Sequence, residues 1–167
     1  TSAPARADGH GWRARAGAIL TGIGTVLEDD PRLDVRDVAV HQQPPLVVVD
    51  SRIETPPGAR LFGPQRPVWI YVAQTDATRE AALRGRGADL RARPGAGCKV
   101  DLAAMLDDLG ARGVNELHVE AGHKLNGSLL REGLVDELLI YLAPKLLGPG
   151  REMAALGPLA RLSDAPD

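Results

Sequence analysis

At 167 residues and 17.7 kDa the chain is long enough to bury one core and too short to require two, so a single domain over 1–167 is expected. A formal net charge of −2, evenly spread, offers no basic field to nucleic acid, and 3% aromatic content is too little for base-stacking platforms. No apolar run approaches the roughly 18 residues of a membrane span and no basic-then-apolar leader opens the chain, so the expectation is a soluble, cytoplasmic protein with a small-molecule partner.

In chain order, residues 2–15 read as a helix starting at Ser2 before Pro4, although Gly9 and Gly11 each disfavour it by up to about 1 kcal/mol. Residues 16–21 (AGAILT) read as a buried strand that runs into Gly22-Ile23-Gly24-Thr25, and residues 25–30 as a short helix closed by Pro31. Residues 32–36 (RLDVR) alternate like an edge strand, and 37–43 form a polar connector. Residues 46–49 are a continuous aliphatic strand that delivers Asp50-Ser51-Arg52 at its end, before Pro56, Pro57 and Gly58 force a loop. Residues 68–72 (VWIYV) read as the central strand, followed by a helix over 76–86 and a short strand over 88–91. Asp101 caps a helix whose Leu102, Met105, Leu106 and Leu109 form one stripe ending at Gly110 or Gly113.

The next stretch organises the rest. Residues 117–120 are a β-rich run broken by Ala121-Gly122, residues 124–131 carry helix-spaced leucines stopped by Gly133, and residues 138–142 (LLIYL) form a second apolar strand. Residues 151–156 are expected to make one helical turn, and 163–167 have nothing to bury. Alternating strands and helices predict an α/β fold, with a mainly parallel central sheet and helices on both faces.

Two strands that stop on glycine and turn into helices, at Gly22 to Thr25 and at Ala121-Gly122, present free backbone N–H groups to an anion such as the pyrophosphate of a dinucleotide. The Gly-x-Gly-x-x-Gly fingerprint is absent, because Leu27 holds its third glycine position. At the end of the second strand, Asp50 would accept from a free ribose hydroxyl, whereas Ser51 beside Arg52 suits a 2′-phosphate; a turn closed by Asp50 on its own backbone is the simpler alternative. Glu120 closes a run that should be buried and so needs partners, and Arg13 and Arg36 flank the first glycine turn as candidate anion anchors. His10, His41 and His118 have no carboxylate or cysteine at ligand spacing, and the single Cys98 lies in a glycine-rich loop, so neither a metal site nor a disulfide is expected. Ser128 has no nucleophile elbow around it and reads as a packing residue.

Three stretches taken together carry a family resemblance: Arg13-Ala14-Arg15 with AGAILTGIGTVLEDDPRLDVR (16–36), PLVVVDSR (45–52) and HVEAGHKLNGSLLREGLVDELLIYLAPKLLG (118–148). In order and spacing the chain resembles the reductase domain of the bifunctional riboflavin-biosynthesis protein RibD, which has a dihydrofolate-reductase-like fold. That resemblance implies NADPH-dependent reduction of 5-amino-6-(5-phosphoribosylamino)uracil to its ribitylamino form. It implies a cofactor site at Thr25, Asp29, Ser51 and the backbone of Gly122, His123, Lys124, Leu125, Asn126, Gly127 and Ser128. It places Arg13, Leu33, Arg36 and Glu120 at the substrate, and implies a homodimer. No catalytic acid is evident; water, or Glu120 through water, is the expected proton source. The family's opening strand and closing hairpin have no counterpart between Thr1 and Asp167, and the zinc deaminase domain found upstream in bifunctional members is likewise outside this sequence. Two alternatives stay open, a non-catalytic NADP-binding remnant and a related diaminopyrimidinone reductase acting before deamination.

Overall fold

The computed structural model describes residues 2–145, 148, 150–158 and 161. Helix α1 (Ala3–Arg15) starts where the sequence signals it. Ser2 is its N-cap and accepts from the amide of Ala5 at 3.4 Å, with Pro4 in the first turn where its missing N–H has no partner to lose. Strand β1 (Ala18–Gly22) is buried at every position and passes directly into α2 (Ile23–Asp29), two residues earlier than the sequence suggests. Strands β2 (Leu46–Val49) and β3 (Val68–Val72), helix α3 (Ala77–Arg84) with Asp76 as N-cap, and strand β4 (Ala88–Ala92) follow as expected within two residues at each end. Helix α4 (Leu102–Ala111) is capped by Asp101, strand β5 is Leu117–Val119, and helix α5 (His123–Arg131) ends before Gly133 at φ 66°.

The five strands form one sheet in the order β4-β3-β2-β1-β5, with every pairing parallel. Parallel strands need cover on both faces, and the apolar residues divide accordingly. Ile19, Val48 and Ile70 join Val26 of α2, Leu83 of α3, and Leu33, Ile53 and Leu61 from the connections on one face. On the other, Leu20, Val47 and Tyr71 pack against Leu102, Met105 and Leu109 of α4 and Leu129 of α5. The expected α/β class, with a mainly parallel sheet and helices on both faces, is the observed one.

Three expectations fail. Residues 32–36 are not an edge strand: Leu33 sits at φ 50°, and Leu33, Asp34 and Val35 are buried in succession rather than alternately. The carboxylate of Asp34 explains this, since it turns back to hold the guanidinium groups of Arg32 at 2.8 Å and Arg36 at 3.0 Å, closing a compact loop. Residues 138–142 have the composition of a strand, but none of the described strands pairs with them, and Leu138, Ile140 and Leu142 are 62%, 54% and 91% exposed. A strand's backbone must find a ladder, and this run instead leans on α1 through the Tyr141 hydroxyl, which donates to Asp8 at 2.5 Å. Residues 151–156 make no helical turn. They form an irregular strap, bent at Met153-Ala154 and tied to α5 by the Ala155 amide on the His123 carbonyl at 2.8 Å. The expectation for 163–167 lies outside the described residues.

Candidate active site

The carboxyl edge of the sheet is where parallel strands hand over to helices, so their connecting loops gather there. Because β5 lies beside β1, with Leu20 level with Val119, the two glycine bends come out side by side. A Cβ on Gly122 would stand 3.7 Å from Thr25 Oγ1 of α2, and one on Gly22 would stand 3.3 Å from Leu125 of α5. The bends, about 100 residues apart in the chain, therefore lie against each other at one edge of the sheet. Gly122 is the N-cap of α5 and offers no side-chain cap to the first amides of this nine-residue helix.

Strand β2 flanks β1 on its other side, which brings Ser51 to the same edge. Asp50, fully buried, accepts from the amides of Glu54 at 2.9 Å and Thr55 at 2.7 Å and from the Thr55 hydroxyl at 2.7 Å. The turn alternative is thus the correct one for Asp50, whose carboxylate is spent on its own loop. Ser51 Oγ accepts from the amide of Val100 at 3.2 Å and keeps its own proton to donate; the Arg52 side chain beside it is 66% exposed and paired with Glu54.

On α5, the sequence-predicted run from Gly122 to Ser128 divides. Gly122, His123, Lys124 and Leu125 make the first turn of the helix, where Gly122 and Leu125 lie against the β1–α2 bend. Asn126 instead donates its side-chain N–H to the carbonyls of Ala121 and Met153, Ser128 Oγ donates to Lys124 within the helix, and Gly127 is buried because a Cβ there would overlap the Ala155 carbonyl. The last three thus hold the 151–156 strap and the helix. Asp29 lies in the last turn of α2, about 6 Å along the axis from Thr25, and is exposed.

The residues expected at the substrate gather on the sheet face that carries Ile19. Arg13, reaching in from the last turn of α1, grips Glu120 with two parallel hydrogen bonds, Nε to Oε1 at 2.5 Å and Nη2 to Oε2 at 2.7 Å. Its third nitrogen donates to the Asp34 carbonyl at 3.0 Å, which ties α1 and β5 to the 32–36 loop. Burial alone would raise the Glu120 carboxyl, but the bonds from Arg13 and from His118, whose Nε2 lies 3.2 Å from Oε1, outweigh it and hold the carboxyl down at about 2. The same pairing raises Arg13 above its usual range. Arg36 hangs from Asp34 with half its side chain in solvent. Leu33 differs from expectation: its side chain belongs to the core and its carbonyl accepts from Arg66, so any ligand contact there falls to the loop backbone. Burial pushes Arg66 down to about 10.

Sequence reasoning missed His118, Asp34 and Arg66. His118 was legible, since two residues before Glu120 on a strand is the same face. The Arg-x-Asp-x-Arg spacing of 32–36 was visible too, but its alternation mimics a strand. No group of three histidine, cysteine or acidic side chains suited to a metal occurs among the described residues.

The family model of the RibD C-terminal domain matches residues 1–164. The chain is 37% identical over 179 residues to the riboflavin biosynthesis protein RibD of Escherichia coli, covering 99% of this chain and 48% of that protein. It is 41% identical over 153 residues to the 2,5-diamino-6-ribosylamino-4(3H)-pyrimidinone 5′-phosphate reductase of Methanothermobacter thermautotrophicus, covering 88% and 68%. Among solved structures, Acinetobacter baumannii RibD superposes with a TM-score of 0.81 at 30% identity, covering 99% of this chain and 45% of that one. The chain spans about half the length of the RibD proteins it matches.

Proposed function

The chain belongs to the RibD C-terminal domain family, with a dihydrofolate-reductase-like fold, and on that premise we propose that it catalyses the NADPH-dependent reduction of 5-amino-6-(5-phosphoribosylamino)uracil to the ribitylamino form. The observation that carries this reading is the side-by-side placement of Gly22 to Thr25 and Gly122 to Leu125 at the carboxyl edge of the sheet, with the Arg13–Glu120 pair on the neighbouring strand end. This edge suits a dinucleotide: glycines allow backbone approach, α5 starts there with no side chain capping its first amides, and Thr25 and Ser51 supply hydroxyls. With Asp50 spent on its turn, Ser51 and the exposed Arg52 favour a 2′-phosphate over a free ribose hydroxyl, hence NADPH over NADH. When bound, the nicotinamide supplies the hydride.

The protein's own residues position and hold charge. Arg13 and Arg36, with Glu120 and the backbone at Leu33, receive the phosphorylated sugar and its polar base, and Asp29 lies at the outer end of the cofactor helix. Bringing donor and acceptor carbons to about 3 to 3.5 Å is worth roughly 7 to 11 kcal/mol when the orientation is fixed in advance. Glu120 serves as an anchor. A carboxyl held at about 2 carries no proton of its own to give near neutrality.

A second reading, reduction of the diaminopyrimidinone before deamination, is favoured by the 41% identity to the Methanothermobacter enzyme. Offering each pyrimidine with NADPH and following nicotinamide oxidation separates the two, and tight NADPH binding without turnover on either would point to a non-catalytic remnant. A homodimer and an attached zinc deaminase domain belong to the same proposal; sedimentation of the full-length protein and its mass test them.

A further inference from the structure

The Arg13–Glu120 pair is not self-supporting. Arg13 arrives from the end of a helix whose only buried residue is His10, and Glu120 stands one residue beyond the end of the three-residue strand β5. On the same face of β5, two residues earlier, His118 stands level with Ile19 of β1, and its imidazole reaches the Glu120 carboxylate. Only 16% of its side chain meets solvent, and Nε2 lies 3.2 Å from Oε1, the oxygen that also accepts from Arg13 Nε. The contacts then run outward in series, from His118 to Glu120, from Glu120 to Arg13, and from Arg13 Nη1 to the Asp34 carbonyl of the loop that carries Leu33 and Arg36. Of the four residues assigned to the substrate, Glu120 and Arg13 lie on this path and Leu33 and Arg36 flank its outer end, while its inner end is a histidine on the sheet.

Resting on the reductase reading above, we propose that His118 is a positioning residue: its Nε2–H fixes one oxygen of Glu120, and through Arg13 it sets the substrate-side loop. A ring held only for its bulk would be replaced without loss by an apolar side chain of similar volume. A ring held for its N–H would be replaced by glutamine, which can offer an N–H at similar reach, and by neither leucine nor the shorter asparagine.

The test uses His118→Leu, His118→Asn and His118→Gln in the full-length protein, with two readouts. In steady-state kinetics His118→Leu and His118→Asn raise KM for the phosphoribosylamino pyrimidine on the order of 5- to 10-fold, with kcat and NADPH affinity within about 2-fold, while His118→Gln stays near wild type. In NMR, the Arg13 side-chain Nε–H exchanges with solvent roughly 10-fold faster in the leucine and asparagine variants than in wild type or His118→Gln. Equal behaviour of leucine and glutamine in both readouts overturns the proposal, as does an unchanged Arg13 Nε–H in all three. Should the wild-type protein oxidise no NADPH with either pyrimidine, the reductase reading fails by itself, and Arg13 Nε–H exchange still decides the role of His118.

Discussion

Replacing Glu120 with glutamine tests the electrostatics of the Arg13–Glu120 pair at a defined pH. The carboxyl is held down from 4.5 to about 2 in the folded protein, against the pull of its own burial, by Arg13 and His118. A group whose folded value is lowered binds its proton more weakly when folded, so its stabilisation is fully present above about 4.5 and is lost as pH falls towards about 2. At about 1.4 kcal/mol per pH unit the lowering is worth about 3 kcal/mol, a ceiling because 28% of the side chain meets solvent. Glutamine is neutral throughout and resembles the protonated acid in shape. Urea unfolding of wild type and Glu120→Gln between pH 2 and 7 should therefore show a gap of up to about 3 kcal/mol at neutral pH that narrows below 4.5 and closes near 2. Because the other carboxylates are common to both proteins, their titration cancels in the difference. A gap that stays constant across the range would show that Arg13 and His118 hold a neutral group.

Gly122→Val places methyl groups against Thr25 Oγ1 and should weaken NADPH binding at least 10-fold while leaving the thermal midpoint within a few degrees, read by titration calorimetry and circular dichroism. Asp50→Ala removes the acceptor of three hydrogen bonds in a fully buried turn and should cost about 2 to 4 kcal/mol in urea unfolding without converting the protein to NADH use. Gly127→Ala cannot be accommodated against the Ala155 carbonyl, so the 151–156 strap should lift and become the first site of limited proteolysis.

Most of the sheet was legible because parallel strands buried on both faces read as unbroken aliphatic runs; VVV at 47–49 and VWIYV at 68–72 leave no other placement. Helix starts were legible wherever a side chain caps, as at Ser2, Asp76 and Asp101. What misled was context that only the fold supplies. The sequence RLDVR has a strand's alternation, yet Asp34 prefers two arginines to a ladder. LLIYL at 138–142 has a strand's composition and no described neighbour to pair with. In the site, Gly22, Gly122, Arg13 and Glu120 could be named from residue type and position. That Glu120 and Arg13 face each other across 107 residues of chain, with His118 behind them, depends on β5 crossing to lie beside β1.

The central claim is that both glycine bends grip a single nucleotide. Titrating the isotopically labelled protein with NADPH while following backbone amides tests it directly. The account predicts that resonances of Gly22 to Thr25, Ser51 and Gly122 to Leu125 shift together along one binding curve, with the Arg13 and Glu120 signals moving only when the pyrimidine is added. Shifts confined to one bend, or two bends saturating at different concentrations, would contradict it.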